Sequence, residues 1–153
     1  MKKATGNKNI APMVCLNAVR NQWRVRLEIT QTEDGAEWYE EDFDYRPSGD
    51  EIRQLYNELV NEQVREQILN GFIYEGKAVY LSEENQLNFR SAASTPVRFK
   101  LGENEDGKPV YHTFESSEEL ADFSKQVADY IVTCLNNGYQ RKDAFKVEYY
   151  LKE

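Results

Sequence analysis

The stretch WRVRLEITQTEDGAEWYEEDFDY, residues 23–45, decides how the fold begins. Its first seven residues alternate apolar with polar side chains, which is the period-two pattern of a half-buried strand. The apolar positions are Trp23, Val25, Leu27 and Ile29. The tripeptide Glu33-Asp34-Gly35 then fits a three-residue hairpin loop with glycine in the left-handed position. The stretch therefore predicts an antiparallel β-hairpin.

The three-residue loop also predicts the register of this hairpin, with Thr32 opposite Ala36. In that register Val25 lies opposite Phe43, and the predicted charge pairs are Arg26 with Asp42 and Arg24 with Asp44. A two-residue loop would bring apolar residues opposite carboxylates, so burial and charge both favour the three-residue loop.

Downstream of this hairpin, helix and hairpin signals alternate along the chain. Each predicted helix begins at a serine, and in two cases a glutamate three residues later completes a capping box. The predicted helices start after Ser48 (with Glu51), Ser82 and Ser116 (with Glu119), and they end at Asn70-Gly71, near Ala92 and at Asn137-Gly138. The predicted strands between them are Phe72 to Tyr74, Ala78 to Leu81, Val97 to Leu101 and Val110 to Phe114. This order predicts an α+β fold of three successive β-hairpin-plus-helix units.

The two ends of the chain carry weaker patterns. Residues 1–20 show no clean period of 2 or 3.6, so we expect an extended N-terminal arm whose apolar half docks on another surface. Residues 21–153 are expected to form a single α+β domain. Near the C-terminus, Ala144, Phe145 and Tyr149 indicate a short helix.

Composition and charge disfavour several classes of function. The 153 residues carry 19 Lys and Arg against 27 Asp and Glu, a net charge of −8, which disfavours binding to a phosphate backbone. No apolar run approaches the roughly 20 residues of a membrane-spanning helix. Cys15 and Cys134 lie far apart without metal-ligand spacing, so we expect neither a zinc site nor a disulfide framework.

The sequence contains no motif that strongly indicates catalysis. His112 is the one histidine, it lies within a predicted strand, and no GxSxG motif accompanies it, so we interpret it as a strand residue held by hydrogen bonds. The acidic segment 103–107 lacks both end ligands of a calcium loop and is interpreted as a solvated hairpin loop. We therefore expect no catalytic residue, no metal and no cofactor.

Three residues of the second strand are the candidate partner-binding residues: Trp38, Glu40 and Asp42. The predicted register places Trp38 on the polar face opposite Thr30, where an exposed tryptophan would anchor a partner. Coverage of its ring by the arm or by the C-terminal segment is the open alternative. Glu40, Asp42 and Asp44 share that face, and because the predicted register pairs two of these carboxylates with arginines, ion pairing is their leading interpretation.

The second half of the chain resembles a known domain family. The stretches that carry the resemblance are GFIYEGK (71–77), VYLS (79–82), ENQLNF (84–89), VRFK (97–100), YHTF (111–114) and CLNNG (134–138). They resemble a family of unknown function found in phage and prophage genes, often near tail or fibre genes. The likeness spans about residues 48–145, and it implies no catalytic residue.

The resemblance implies a structural or accessory component of a phage virion, in the tail, a fibre or a head attachment. Such a protein would act by protein–protein association, without enzymatic activity, on other virion proteins and on copies of itself in a homo-oligomer. Nucleic acid, membranes and small-molecule substrates are not expected partners. The protein would be assembled in the bacterial host cytoplasm and reside in the virion. The alternative is a small cytoplasmic phage-encoded regulator or assembly chaperone that binds a protein partner through an acidic face.

Overall fold

The structure is a computed structural model that describes residues 1–152. Its elements in chain order are β1 (Lys2–Gly6), β2 (Met13–Asn17), β3 (Gln22–Gln31), β4 (Ala36–Phe43), α1 (Gly49–Asn70), β5 (Phe72–Tyr74), β6 (Lys77–Val79), α2 (Glu83–Arg90), β7 (Val97–Glu103), β8 (Pro109–Phe114), α3 (Ser117–Ala144) and α4 (Glu148–Leu151). Helices and strands are interspersed along the chain, so the α+β prediction is confirmed.

The chain divides into two compact units. The first unit contains residues 1–60 and 142–152, and the second unit contains residues 61–141. The four-stranded sheet belongs to the first unit, whereas the hairpins β5–β6 and β7–β8 belong to the second.

The N-terminal arm forms part of the four-stranded sheet. The strand order is β1-β4-β3-β2, and all neighbours are antiparallel, so β1 and β2 form the two edges. Residues 1–20 thus supply both edge strands, and they dock on the hairpin of their own chain.

The register of the β3–β4 hairpin differs from the predicted one. Thr32 donates its backbone N–H to the Gly35 carbonyl at 2.9 Å, and Gln31 instead of Thr32 lies opposite Ala36. A bulge between Leu27 and Thr30, where Glu28 has a φ of 52°, shifts the pairing again. The pairs at the far end are then Arg24 with Asp42, Arg26 with Glu40 and Trp23 with Phe43. Beyond the bulge the two shifts together displace the register by two residues, so Arg24 and Arg26 keep their predicted face. Between the loop and the bulge the displacement is one residue, so Thr30 lies opposite Glu37 and not opposite Trp38 as predicted.

The first unit also confirms the predicted start of α1. The Ser48 N–H donates to the Glu51 carboxylate at 2.8 Å, and the Glu51 N–H donates to the Ser48 hydroxyl at 3.3 Å, which is a reciprocal capping box. The aromatic ring of Phe145 stacks on Tyr56 with 4.0 Å between centroids. Phe145 precedes α4, the short C-terminal helix that the sequence indicated.

The core of the second unit is built from aromatic rings. Phe123 of α3 is fully buried and is surrounded by rings from β5, α2 and β8. Its centroid lies 4.8 Å from Tyr74, 4.9 Å from Phe114, 5.2 Å from Phe89 and 6.3 Å from Phe72. One side chain therefore holds both hairpins and two helices together.

The predicted end of α3 is wrong. The sequence placed a helix stop at Asn137-Gly138, but α3 continues to Ala144. Gly138 is buried within the helix, and Arg141 beyond it donates to the side chain of Gln63. Because a mid-helix glycine costs only about 1 kcal/mol relative to alanine, such tertiary contacts outweigh its preference for a helix end.

Hairpins and helices alternate as expected, but the three units are unequal. The first hairpin lies within a four-stranded sheet, and the second and third are two-stranded. Among residues 1–152, no helix combines the length and the apolar character that crossing a membrane requires.

We expect Phe123→Ala to lower the free energy of unfolding by about 3–5 kcal/mol, because the large cavity would be lined by rings that cannot close it. Urea unfolding followed by circular dichroism measures the change. Leu87→Ala on the exposed side of α2 is the control, with an expected change within about 0.5 kcal/mol, because Leu87 is 64% exposed. Equal effects of the two substitutions would contradict the central role of Phe123.

Candidate functional site

The three partner-binding candidates lie on one face of β4, but they differ in accessibility. Trp38 is only 6% exposed and Glu40 is 8% exposed, whereas Asp42 is exposed. The expectation that Trp38 is exposed is therefore wrong. A Cβ atom added to Gly6 would meet the Trp38 ring at 2.7 Å, so the ring occupies the space that glycine leaves on β1. The alternative in which the arm covers the ring is the one that the structure shows.

Glu40 and Asp42 are engaged with arginine and tryptophan side chains. Trp38 donates its indole N–H to Glu40 Oε2 at 2.8 Å, and Arg24 Nη1 lies 3.4 Å from Glu40 Oε1. Arg24 also binds Asp42 through two hydrogen bonds of 2.6 and 2.8 Å. These bonds from Arg24 hold the pKa of the Asp42 carboxyl below its ordinary value.

Ion pairing of Glu40 and Asp42 with an arginine is confirmed, but both carboxylates pair with Arg24. The predicted pairs of Arg26 with Asp42 and of Arg24 with Asp44 are wrong, since Arg26 donates to the Ala11 carbonyl and Asp44 accepts from Gln22. Of the three candidates, only Asp42 presents an exposed side chain to a partner. A partner-binding role for Trp38, Glu40 and Asp42 stays a prediction.

The second unit brings together a set of side chains that the sequence analysis did not connect. Glu75, His112 and Glu119 form what we call the carboxylate–imidazole cluster, in which one ligand atom of each residue lies within 4.8 Å of the others. Glu75 lies in the β5–β6 turn, His112 in β8, and Glu119 in the first turn of α3. Both turn residues, Glu75 and Gly76, have positive φ angles of 46° and 75°, as a tight hairpin turn requires.

Hydrogen bonds determine the state of the His112 ring. Lys77 Nζ lies 2.9 Å from Nδ1, and Glu119 Oε1 lies 2.7 Å from Nε2. An ammonium group can only donate, so Nδ1 accepts from Lys77 and the proton of the neutral ring resides on Nε2, which donates to Glu119. The prediction that His112 is a strand residue held by hydrogen bonds is confirmed.

Negative charge dominates the surroundings of the imidazole. The pKa of Glu119 is lowered by the hydrogen bond from His112, by the backbone N–H of Glu115, and by nearby Lys77. The pKa of Tyr74 is raised by burial first and then by the carboxylates of Glu75, Glu119 and Asp122. An anionic tyrosinate is therefore disfavoured beside this group of carboxylates.

The cluster combines the groups needed for proton transfer and for cation binding. Its members are separated by 37 and 7 positions in the sequence. The only local signal was the Ser116 and Glu119 capping box, and that signal explains Glu119 as a helix-start residue. The side-chain contacts between β8 and the β5–β6 turn could not be predicted from the sequence, because they depend on tertiary packing.

A cavity of about 480 Å³ lies elsewhere in the second unit. Tyr80, Asn85, Lys100 and Glu103 contribute to its walls. Lys100 and Glu103 neutralise each other at 3.0 Å, and no residue of the carboxylate–imidazole cluster lines the cavity.

We expect Asp42→Asn to lower the free energy of unfolding at pH 7 by less than about 1 kcal/mol, because the pair with Arg24 is exposed to solvent. A carboxyl with a lowered pKa stabilises the fold above the unfolded pKa of about 3.9. That contribution is lost as the pH falls through the lowered folded pKa, so the difference between variant and wild type should diminish at acidic pH, below that unfolded value. Urea unfolding at pH 7 and at that acidic pH tests this.

Asp34→Asn in the exposed β3–β4 loop is the control for that measurement, and it should leave the stability unchanged at both pH values. A difference between Asp42→Asn and wild type that persists undiminished at low pH would contradict the assignment of the Arg24 pair.

Comparisons of this chain with protein-family models, with curated proteins and with solved structures found no match.

Proposed function

We propose that this protein is a structural or accessory component of a phage particle that works by association with copies of itself and with other virion proteins. The phage setting rests on the sequence resemblance of residues 48–145. Three successive hairpin-plus-helix units serve as the scaffold in this proposal. The observation that carries self-association is the uncharged, partly exposed edge of the four-stranded sheet at β2.

The two edges of the sheet differ in charge. The edge strand β1 carries Lys2 and Lys3, and charged side chains on an edge oppose strand addition. The β2 edge, Met13–Asn17, contains no charged residue. The side chains of Cys15 and Leu16 on this edge are exposed, and Val19 in the adjoining turn is 97% exposed.

A second copy of the chain is the occupant that fits the β2 edge. Pairing of β2 with β2 of a second copy about a two-fold axis would join the two sheets, and both uncharged edges would then be covered. Cys15 is the central residue of the five-residue strand. A symmetric antiparallel pair centred there places the two Cys15 side chains opposite each other, with Cβ atoms about 4.5–5.5 Å apart.

We therefore expect a short bismaleimide reagent to link two wild-type chains through Cys15 in solution. Cys15→Ser should abolish the covalent dimer, whereas Cys134→Ser should retain it because Cys134 is buried. Denaturing gel electrophoresis with mass spectrometry of the linked peptide identifies the residues joined.

A charge placed on the same edge gives a second readout. Leu16→Lys should convert the dimer into a monomer in light scattering, because pairing would bury two ammonium groups across the interface. The matched control is Leu87→Lys, which changes an exposed leucine in α2 and should leave the dimer intact. A wild-type chain that stays monomeric at high concentration and yields no Cys15 linkage would refute self-association through β2.

The phage setting is tested by counting copies of this chain in purified particles of the source phage by quantitative mass spectrometry. A constant copy number per particle supports the structural role. Absence from particles together with presence in infected cells would refute that role and favour the regulator or assembly chaperone.

A further inference from the structure

We propose that Glu75, His112 and Glu119 form a binding site for a divalent transition-metal ion, with Zn²⁺ as the best match. The inference departs from the sequence-based expectation of no metal, and it does not depend on self-association through β2. It rests on four properties of the cluster: the types of ligand, the net charge, the rigidity of the imidazole, and the position of a neighbouring cation.

The ligand types suit Zn²⁺ because imidazole nitrogen and carboxylate oxygen are both common zinc ligands. At metal–ligand distances of about 2.0–2.2 Å, two ligand atoms of a tetrahedral site lie about 3.4 Å apart. The three ligand atoms already lie within 4.8 Å of one another. Glu75 is exposed, so rotation of its side chain can close the remaining distance. Three protein ligands leave a fourth position for water.

The charge of the site favours a divalent cation. The two carboxylates are opposed by one ammonium group, that of Lys77, and the imidazole is neutral. The Asp122 carboxylate acts on the same Tyr74 hydroxyl as both cluster carboxylates, so it adds to the negative potential there. The groups named here carry one positive charge against three negative charges.

The imidazole is held in place by aromatic packing. The His112 ring lies 4.5 Å from the Phe114 ring and meets the Tyr74 ring edge-on at 5.4 Å. Its side chain is 9% exposed, whereas that of Glu119 is 28% exposed. Glu119 is held by its second oxygen, which accepts the Glu115 N–H at 2.9 Å. Two of the three ligands are thus positioned before an ion arrives, which lowers the entropic cost of binding.

Lys77 shows that the cluster attracts positive charge. Its ammonium group lies on the lone pair of Nδ1, at 2.9 Å. Because Glu119 lies at Nε2, the metal ion binds at Nε2, in place of the proton that this nitrogen donates to Glu119. The ring proton then moves to Nδ1, which the Lys77 ammonium opposes, so removal of that ammonium should strengthen metal binding.

Isothermal titration of the untagged, chelator-treated full chain with ZnCl₂ tests the proposal. The Cys15→Ser background removes an exposed thiol that would compete for zinc. We expect one Zn²⁺ per chain. Glu75→Gln should weaken binding by about tenfold or more, and Lys77→Met should strengthen it. The exposed position of Glu75 lets its variant retain the fold, which circular dichroism checks.

Glu118→Gln is the matched control, because Glu118 is an exposed carboxylate in the same first turn of α3 but lies outside the cluster. Zinc binding should be unchanged in this variant. The proposal is overturned if the Cys15→Ser protein binds no Zn²⁺, or if Glu75→Gln and Glu118→Gln affect binding equally. Weaker binding in Lys77→Met than in the parent protein would also overturn it.

Discussion

The packing of aromatic rings around Phe123 is the constraint on which the second unit depends. The hairpins β5–β6 and β7–β8 have only two strands each, and an isolated two-stranded hairpin is marginally stable in water. Each hairpin is stabilised because one of its faces supplies a ring to a shared core. Tyr74 comes from β5–β6, and Phe114 comes from β7–β8. On β8, the alternation of side chains along a strand then leaves Tyr111 and Thr113 exposed while Phe114 is buried.

The same packing explains how the carboxylate–imidazole cluster is assembled. His112 and Phe114 lie two positions apart on β8, so they share the inner face, and the imidazole continues the aromatic layer at its edge. Phe123 and Glu119 lie four positions apart on α3, so burial of Phe123 directs Glu119 towards the same side. A hydrophobic contact thereby determines the distance between an imidazole and a carboxylate.

In the first unit, the two edge strands of the sheet differ in charge. The arm closes one side of the β3–β4 hairpin with the lysine-bearing β1, where Gly6 makes room for the Trp38 ring. On the other side it supplies the uncharged β2. The bulge near Glu28 changes the partners of Arg24 and Arg26 but preserves their face, so opposite charges still meet. The two edges of the sheet thus differ in charge, with lysines on β1 and no charged residue on β2.

The sequence by itself determined the α+β class, the capped starts of α1 and α3, and the three hairpins, because these features depend on side-chain periodicity and on residues close together in the chain. The pairing of β1 with β4 and of β2 with β3 was not predicted from the sequence. It also predicted that Arg24 pairs with a carboxylate of β4, though the partners are Glu40 and Asp42 in place of Asp44, whereas Arg26 donates to the Ala11 carbonyl. Only the tertiary structure decided the continuation of α3 past Gly138, the burial of Trp38, and the meeting of Glu75 with His112 and Glu119. Each of these depends on contacts between residues distant in the chain, and their energies exceed the local preferences of about 1 kcal/mol that a sequence displays.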